Sequence, residues 1–494
     1  MIGVLSLKDL RVILSNLGLI LTITSPTLLI PIIAAILYNE LIYIVGFAFA
    51  FVLMLAVGMG LWKVFESGRE MKLRHAIAVT ALSYPAISLF SAIPLGPVAP
   101  TFLDAYFEAM SGWTTAGLST ISGGADTFPY SINLWRHLMQ YVGGMGIVVM
   151  SLVVLSKAGT GIESTSFYSA EGRIGKIDKI GASMVSTIRM LWILYLGFLF
   201  VGTIALHLAG MTWFDAVTHA MSGISTAGFS THANSIAYFD SVLIEFLLII
   251  IMIIGSMNFL VLYAALTGNL RELVKNVENK VAVVTFVLFL IPVVWGLSVS
   301  YSSASSGIRV GVFHLVSAFT TTGWMIESPD NLSAVWGPFV MVLIALVMSI
   351  GASTGSTSGG IKRLRIALIG KAIWSDIQRA LSPEDTVIVT KFHHIEDRIA
   401  EEKILREVFV MVFAYALLLV VSTLITMAYG YSFSDSFFEA SSALAPVGQT
   451  SGVTDVAMPT LLKIVYMLDM WAGRLEVLPV LIFAVSLRGL FKRR

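Results

Sequence analysis

Apolar residues in this chain come in long uninterrupted blocks. Runs without a charged side chain occupy 12–39, 41–62, 75–103, 137–156, 190–214, 246–270, 281–308, 331–361 and 408–434. Each reaches or exceeds the ~20 residues a helix needs to cross a bilayer. A tenth block, about 460–487, is equally apolar but carries Lys463, Asp469, Arg474 and Glu476. The pattern predicts ten membrane spans. Between several of them lies a shorter element, about ten semi-polar residues that are too few to cross, followed by a string of Thr, Ser and Gly.

Those strings repeat. Aligned on a glycine, FLDAYFEAMSGWTTAG ends at Gly117, WFDAVTHAMSGISTAG at Gly228, VGVFHLVSAFTTTG at Gly323 and FSDSFFEASSALAPVG at Gly448. Thirteen residues earlier stand Asp104, Asp215, Val310 and Asp435; nine earlier, Glu108, His219, His314 and Glu439; six earlier, Ser111, Ser222, Ser317 and Ser442. Independent columns that agree across four segments mark an internal repeat. The repeating unit is span, short helix, string, span. An Asp near the start of three short helices suits the positive end of the helix dipole. The expected fold class is therefore an all-α polytopic membrane protein, with four joined span–pore helix–span repeats around one central pore and two extra spans in front. The expected divisions are 1–73 for the extra pair, then repeats at 74–160, 161–270, 271–382 and 383–494.

Composition and charge sharpen this. Hydrophobic residues make up 57% and charged residues 12%, with mean hydropathy +0.87; soluble domains carry ~25% charge. There is no cysteine, which excludes disulfides and thiolate metal sites. A net charge of +1 points to no nucleic-acid partner. The N-terminal MIGVLSLKDLRVIL runs into a span without a small-residue cleavage site and is expected to stay. If the N-terminus is cytoplasmic and ten spans alternate, the inside segments 1–11, 63–74, 157–189, 267–280, 361–406 and 488–494 hold 27 of the 31 Lys and Arg. Such asymmetry sets orientation. It places both termini inside and all four strings outside. The four exceptions are Arg136, Arg309, Lys463 and Arg474.

Irregular backbone at membrane depth is tolerated only where it is buried in protein or lines water. Four strings converging on one axis would present carbonyl oxygens, and a carbonyl ring replaces the hydration shell of an alkali cation. The short helices would aim their negative ends at it. The competing reading is that small residues merely let helices pack closely.

The four strings, WRHLMQYVGGMGIVVM at 135–150, GASTGSTSGGIKRLR at 351–365 and GRLE at 473–476 together resemble the TrkH/KtrB branch of the superfamily of K⁺ transporters, over about 70–490. The two extra N-terminal spans are similar to those of the TrkH side. By that resemblance the filter comprises Thr114, Thr115, Ala116 and Gly117; Ser225, Thr226, Ala227 and Gly228; Thr320, Thr321, Thr322 and Gly323; and Ala445, Pro446, Val447 and Gly448. K⁺ would meet Thr115, Ala116, Thr226, Ala227, Thr321, Thr322, Pro446 and Val447. Relatives that admit mainly Na⁺ often have Ser at the first filter glycine, so Gly117 implies K⁺. The fourth string, APVGQ, lacks hydroxyls and would contribute backbone only.

Two features suggest a gate. Residues 351–360 hold Gly351, Gly355, Gly359 and Gly360 and no bulky side chain. Each glycine costs a helix ~1 kcal/mol relative to Ala, so the eighth span should break there. The resemblance makes this an intramembrane loop below the filter. Arg474, deep in the last span, is expensive unless paired or hydrated. It is expected either to pair with Asp469 or Glu476 or to project under the filter and act with the loop. His219 and His314 are expected to hydrogen-bond within their short helices, and Asn258 to face a cavity.

The segment 361–406 alternates in charge sign, which normally marks a solvated face. No nucleotide-binding fingerprint occurs in the chain, and neither H-E-x-x-H nor G-x-S-x-G. An enzyme is not expected, nor a cofactor on this chain. The resemblance implies a homodimer with one pore per chain, docked on a cytosolic RCK-type ring that binds NAD(H), ATP or ADP, in a prokaryotic cell membrane. The functional expectation is channel-like K⁺ uptake. Its alternative is a secondary transporter coupling K⁺ to H⁺ or Na⁺, for which Asp469 is the candidate group.

Overall fold

The computed structural model describes residues 7–69, 71–121, 125–157, 184–301, 303–329, 332–383, 386 and 388–491. The expected boundary at 160/161 and most of the basic loop 157–189 lie outside them. Among the described residues, seven helices are long and apolar enough to cross a membrane. The two extra spans come first: α1 (Leu7–Thr24), continued through a 3₁₀ turn into α2 (Leu29–Leu37), and α3 (Leu41–Val64).

Each repeat follows the same plan. The first has α4 (Leu73–Ser91), the short α5 (Phe102–Thr114) and α6 (Tyr130–Lys157); the second has α7 (Met184–Leu208), α8 (Trp213–Ile224), α9 (Val242–Ser256) and α10 (Phe259–Leu266). After the short α11 (Arg271–Lys275), the third has α12 (Val277–Ser300), α13 (Ala304–Phe319), α14 (Gly337–Ile350) and α15 (Arg363–Leu381). The fourth has α16 (Glu402–Ala428), α17 (Phe433–Leu444), α18 (Thr460–Arg474) and α19 (Leu478–Phe491).

The second spans hold a regularity that charge gaps did not reveal. The expected break after Ile350 is present. The expected sixth span is also broken, with α9 and α10 meeting at 107°. The last span breaks after Arg474, where Glu476 and Val477 take positive φ. Counted from the string glycines, these breaks fall 28, 27 and 26 residues on (228 to 256, 323 to 350, 448 to 474). The same offset in the first repeat reaches Gly143 and Gly144, inside the continuous α6. Only one of these breaks has a glycine run to announce it, so sequence pattern exposed that one alone.

The Asp column proves to be the third residue of each helix, behind a hydroxyl N-cap. Thr101, Thr212 and Ser432 accept the amides of Asp104, Asp215 and Asp435 and donate to the same carboxylates at 2.7, 2.7 and 2.6 Å. The third repeat, with Val310 in this column, has no such cap. Small-residue packing also occurs, as between the extra spans, where a Cβ on Gly18 would lie 2.6 Å from the Gly58 carbonyl.

Segment 361–406 departs from the solvated face expected of it. Lys391–His394 (β1) and Glu396–Ile399 (β2) form an antiparallel hairpin. Phe392 and His394 point inward, and Phe392 packs with Val277, Leu364, Leu368 and Val408. The period-two alternation of a strand buried one face of a sequence read only for its charges.

Candidate cation pathway

The short helices α5, α8, α13 and α17 bury almost all of their C-terminal halves, and each ends in the same turn. Thr115, Thr226, Thr321 and Pro446 all have positive φ (59°, 48°, 55° and 23°), as do Gly117, Gly228, Gly323 and Gly448 (76°, 82°, 93° and 106°). The next amides, of Ala116, Ala227, Thr322 and Val447, reach back to the carbonyls of Ser111, Ser222, Ser317 and Ser442 at 2.8–2.9 Å. This closes each helix by a left-handed cap. Four strings of different composition therefore share one backbone conformation.

They also close on one another. A Cβ built on Gly117 would collide with the Ala227 carbonyl oxygen, one on Gly228 with that of Thr322, and one on Gly323 with that of Val447; one on Gly448 would lie 2.5 Å from that of Ala116. Each glycine thus faces the carbonyl that precedes the glycine of a neighbouring string, and the chain of contacts returns to its start. Only hydrogen at these positions lets the four strings approach. The ring brings together all sixteen residues singled out from the strings; all are buried except Gly117, Gly228 and Gly448, which are partly exposed.

The column nine residues before each glycine pins the ring from behind. Glu108 pairs with Arg136 at 2.7 Å, and Arg136 reaches the Ser230 carbonyl beyond the second string. His219 meets Ser230 Oγ at 2.9 Å, and His314 accepts the Ile326 amide at 3.3 Å. Glu439 collects Thr450, Ser451, Val453 and Thr454. His219 and His314 also bond the Asp215 and Val310 carbonyls one turn back in their own helices, as expected.

Directly against the ring lies the loop 351–360. Thr357 Oγ1 is 3.1 Å from Thr226 Oγ1, the Gly359 amide donates to Thr321 Oγ1 at 3.1 Å, and a Cβ on Gly359 would lie 2.5 Å from the Ala445 carbonyl. At the loop's neck, Gly360 packs its backbone on Gly351. Arg474 completes the set. Its guanidinium donates to the Thr357 carbonyl and, at 2.9 and 3.1 Å, to those of Gly143 and Gly144. The loop therefore touches the second, third and fourth strings, and Arg474 ties it to the first repeat.

Arg474 differs from the other basic exceptions to the inside rule. Arg136 pairs with Glu108, Lys463 with Asp104, and Arg309 with Glu245 and Asp240. Among the described residues Arg474 has no carboxylate partner. The expected pairing with Asp469 or Glu476 gives way, because Glu476 is taken by Arg365 and the break after Arg474 turns the guanidinium to the loop.

Several residues at this site were missed in the sequence. Glu278 accepts the Thr354 amide and hydroxyl at 2.7 and 3.0 Å. Its charge had placed it outside a span, although it is buried. Asn258 does not simply face a cavity. It caps α10 and donates to the Thr354 carbonyl at 2.7 Å. Arg363 donates to the Phe319 carbonyl at the end of α13, its cation 4.0 Å above the Phe319 ring. Gln140, in the motif at 135–150, reaches the second string. Long-range pairings of this kind leave no periodicity to find.

A multi-pass helical membrane protein with four re-entrant short helices, whose strings close into one ring over an intramembrane loop, is the class that fold and site define. The sequence matches the family model for TrkH, a cation transport protein, over residues 44–277 and 272–489. It is 32% identical to the Trk system potassium uptake protein TrkH of Escherichia coli over 488 residues, covering 96% of this chain and 98% of that one. An uncharacterised cation transporter of Methanocaldococcus jannaschii is also 32% identical, over 487 residues, with 98% and 97% covered. The crystal structure of the potassium transporter TrkH from Vibrio parahaemolyticus superposes with a TM-score of 0.83 at 28% identity, covering 96% and 98%. The chain belongs to the TrkH family of cation transport proteins.

Proposed function

We propose that this chain takes up K⁺, and Rb⁺ with it, down the electrochemical gradient through the ring of four strings. The observation that carries the reading is the cyclic closure of four identically folded strings around backbone oxygens, in a chain whose relatives bear the name potassium uptake protein. Carbonyls in a ring are suited to replace a cation's hydration shell. In this reading the donors are the carbonyls of Thr115 and Ala116, Thr226 and Ala227, Thr321 and Thr322, and Pro446 and Val447. The loop with Gly351, Gly355, Gly359 and Gly360 is the gate. Arg474 holds it shut by hydrogen bonding, and its charge opposes cation passage. The strings face outward and both termini lie in the cytoplasm of a prokaryotic cell. A homodimer on a cytosolic RCK-type ring that responds to NAD(H), ATP or ADP is the assembly.

The second reading, coupling to H⁺ or Na⁺, rests on Asp469. It is buried within α18, with one carboxylate oxygen free of any hydrogen bond among the described residues. A reversal potential that follows K⁺ alone at varied pH and Na⁺ excludes it. The primary test is flux of K⁺, Rb⁺ and Na⁺ into liposomes holding the purified chain, compared with Gly117→Ser. K⁺ and Rb⁺ well above Na⁺, with the gap narrowed by the substitution, supports the filter. Equal Na⁺ flux, or an inert substitution, refutes it.

A further inference from the structure

The ring is not chemically four-fold. Of its four oxygens, on Ala116, Ala227, Thr322 and Val447, one carries a hydrogen-bond donor. Gln140 Nε2 of α6 donates to the Ala227 carbonyl at 2.6 Å. Among the described residues the carbonyls of Ala116, Thr322 and Val447 receive none. Gln140 is fully buried. Its other atom, Oε1, accepts from Ser222 Oγ at 2.9 Å and from the Phe229 amide at 3.3 Å. These partners fix which way the amide points. The Phe229 N–H can only donate and the Ala227 carbonyl can only accept, so Oε1 faces the first and Nε2 the second. One side chain thereby holds the second string from Ser222, in its helix, to Phe229, just past its glycine.

Gln140 cannot drift away from this task. One turn along α6, a Cβ on Gly143 would overlap the Trp113 carbonyl, and one on Gly144 would lie 2.8 Å from Ser225 Cβ. The helix is pressed backbone-to-backbone behind the first and second strings. The donor is therefore held at a fixed reach.

We propose that Gln140 is a positioning residue that sets cation selectivity, by donating to the Ala227 carbonyl and so weakening and orienting one of the four oxygens of the ring. The inference rests on the filter reading above. A carbonyl that already accepts a hydrogen bond offers a cation a weaker field, and the strength of the carbonyl field is one of the terms that separates K⁺ from the smaller Na⁺. Strong-field oxygens favour the smaller ion, because its higher charge density gains more from them. Removing the donor strengthens the Ala227 oxygen and frees it to turn. Both effects move the ring toward Na⁺.

The test is the K⁺/Na⁺ flux ratio in liposomes for wild type, Gln140→Met, Gln140→Glu and Gly117→Ser. Methionine keeps the length and removes the donor. Its ratio is expected to fall about fivefold, which corresponds to ~1 kcal/mol at 1.4 kcal/mol per tenfold. Glutamate keeps the acceptor for Ser222 and Phe229 but donates only when protonated. Its ratio is expected to lie near wild type at low pH and below the methionine variant at high pH, a pH profile that a packing role would not produce. Wild-type ratios in folded Gln140→Met, and across pH in Gln140→Glu, overturn the proposal. If Gln140→Met does not fold, the pH profile of Gln140→Glu decides. Should Gly117→Ser alter the ratio while the Gln140 variants do not, this inference fails and the filter stands. If none of the three alters it, the filter itself has failed.

Discussion

Adding one methyl group at Gly448 tests the ring more sharply than any polar substitution. The Cβ of Gly448→Ala would lie 2.5 Å from the Ala116 oxygen and 3.1 Å from the Gly117 Cα. Side-chain carbons essentially never come within 3.0 Å of such atoms, so the fourth or the first string must shift by at least 0.5 Å (3.0 − 2.5). The substitution also places Ala at φ 106°. A matched control separates the two costs. Gly430, at the turn before α17, has φ 94°, and nothing stands within 4 Å of the place its methyl group would take. Both alanines bear the same left-handed strain, ~1–2 kcal/mol. Only Gly448→Ala adds the overpacking of a rigid contact, ~1–3 kcal/mol. If that energy is spent in the ring, it corresponds to about five- to 150-fold. Gly430→Ala should melt slightly lower than wild type and transport like it. Gly448→Ala should lose at least about fivefold in K⁺ flux relative to Gly430→Ala, with a narrowed K⁺/Na⁺ ratio. Equal flux and equal ratio in the two variants would show that the four strings do not meet in the conducting molecule, and the argument from ring closure would be wrong.

Further predictions concern what holds the ring and the loop. Arg474→Gln shortens the reach to Thr357, Gly143 and Gly144 and removes the charge; K⁺ flux is expected to rise, and unchanged flux in folded protein would sink the gate assignment. Glu278→Ala strips two bonds from Thr354; faster amide exchange across 351–360 is expected, read by mass spectrometry, and protection equal to wild type counts against anchoring. Glu108→Ala leaves Arg136 buried without its carboxylate, which typically costs ~3–5 kcal/mol; a clear drop in melting temperature checks it. Beyond the second string, burial tends to lower the pKa of His232, but its contacts with Asp215 and Asp126 outweigh burial and raise it above 6.5. A raised histidine pKa stabilises fully below the unfolded value and is lost as pH climbs through the folded one. Wild type should therefore lose more thermal stability than His232→Gln between about pH 6 and about pH 9. Parallel curves for the two proteins would contradict that sign.

Much of the architecture was written in local pattern. Charge gaps gave the spans, because a helix in lipid must be apolar along its whole length. The four strings were legible because each glycine must pass a neighbouring backbone, a demand repeated at a fixed offset from the Ser column. The loop at 351–360 was legible because its glycines cannot hold a helix. The breaks after Ser256 and Arg474 were not, since no residue there forbids a helix; they depend on what waits to take the freed groups, Gly355 for the Phe259 amide and Thr357 for Arg474. The hairpin at 391–399 was read as solvated because the partners of Phe392 lie on three other helices.

The sequence by itself determined membrane residence and the four-fold unit, since each follows from residues close together in the chain. Only the tertiary structure decided that the strings close into a cycle, that Arg474 binds the loop and no carboxylate among the described residues, and that Gln140 marks one oxygen of four. Those pairings join residues 87 to 332 positions apart. At such separations a hydrogen bond leaves no spacing in the sequence, and which groups meet is settled by how the helices pack.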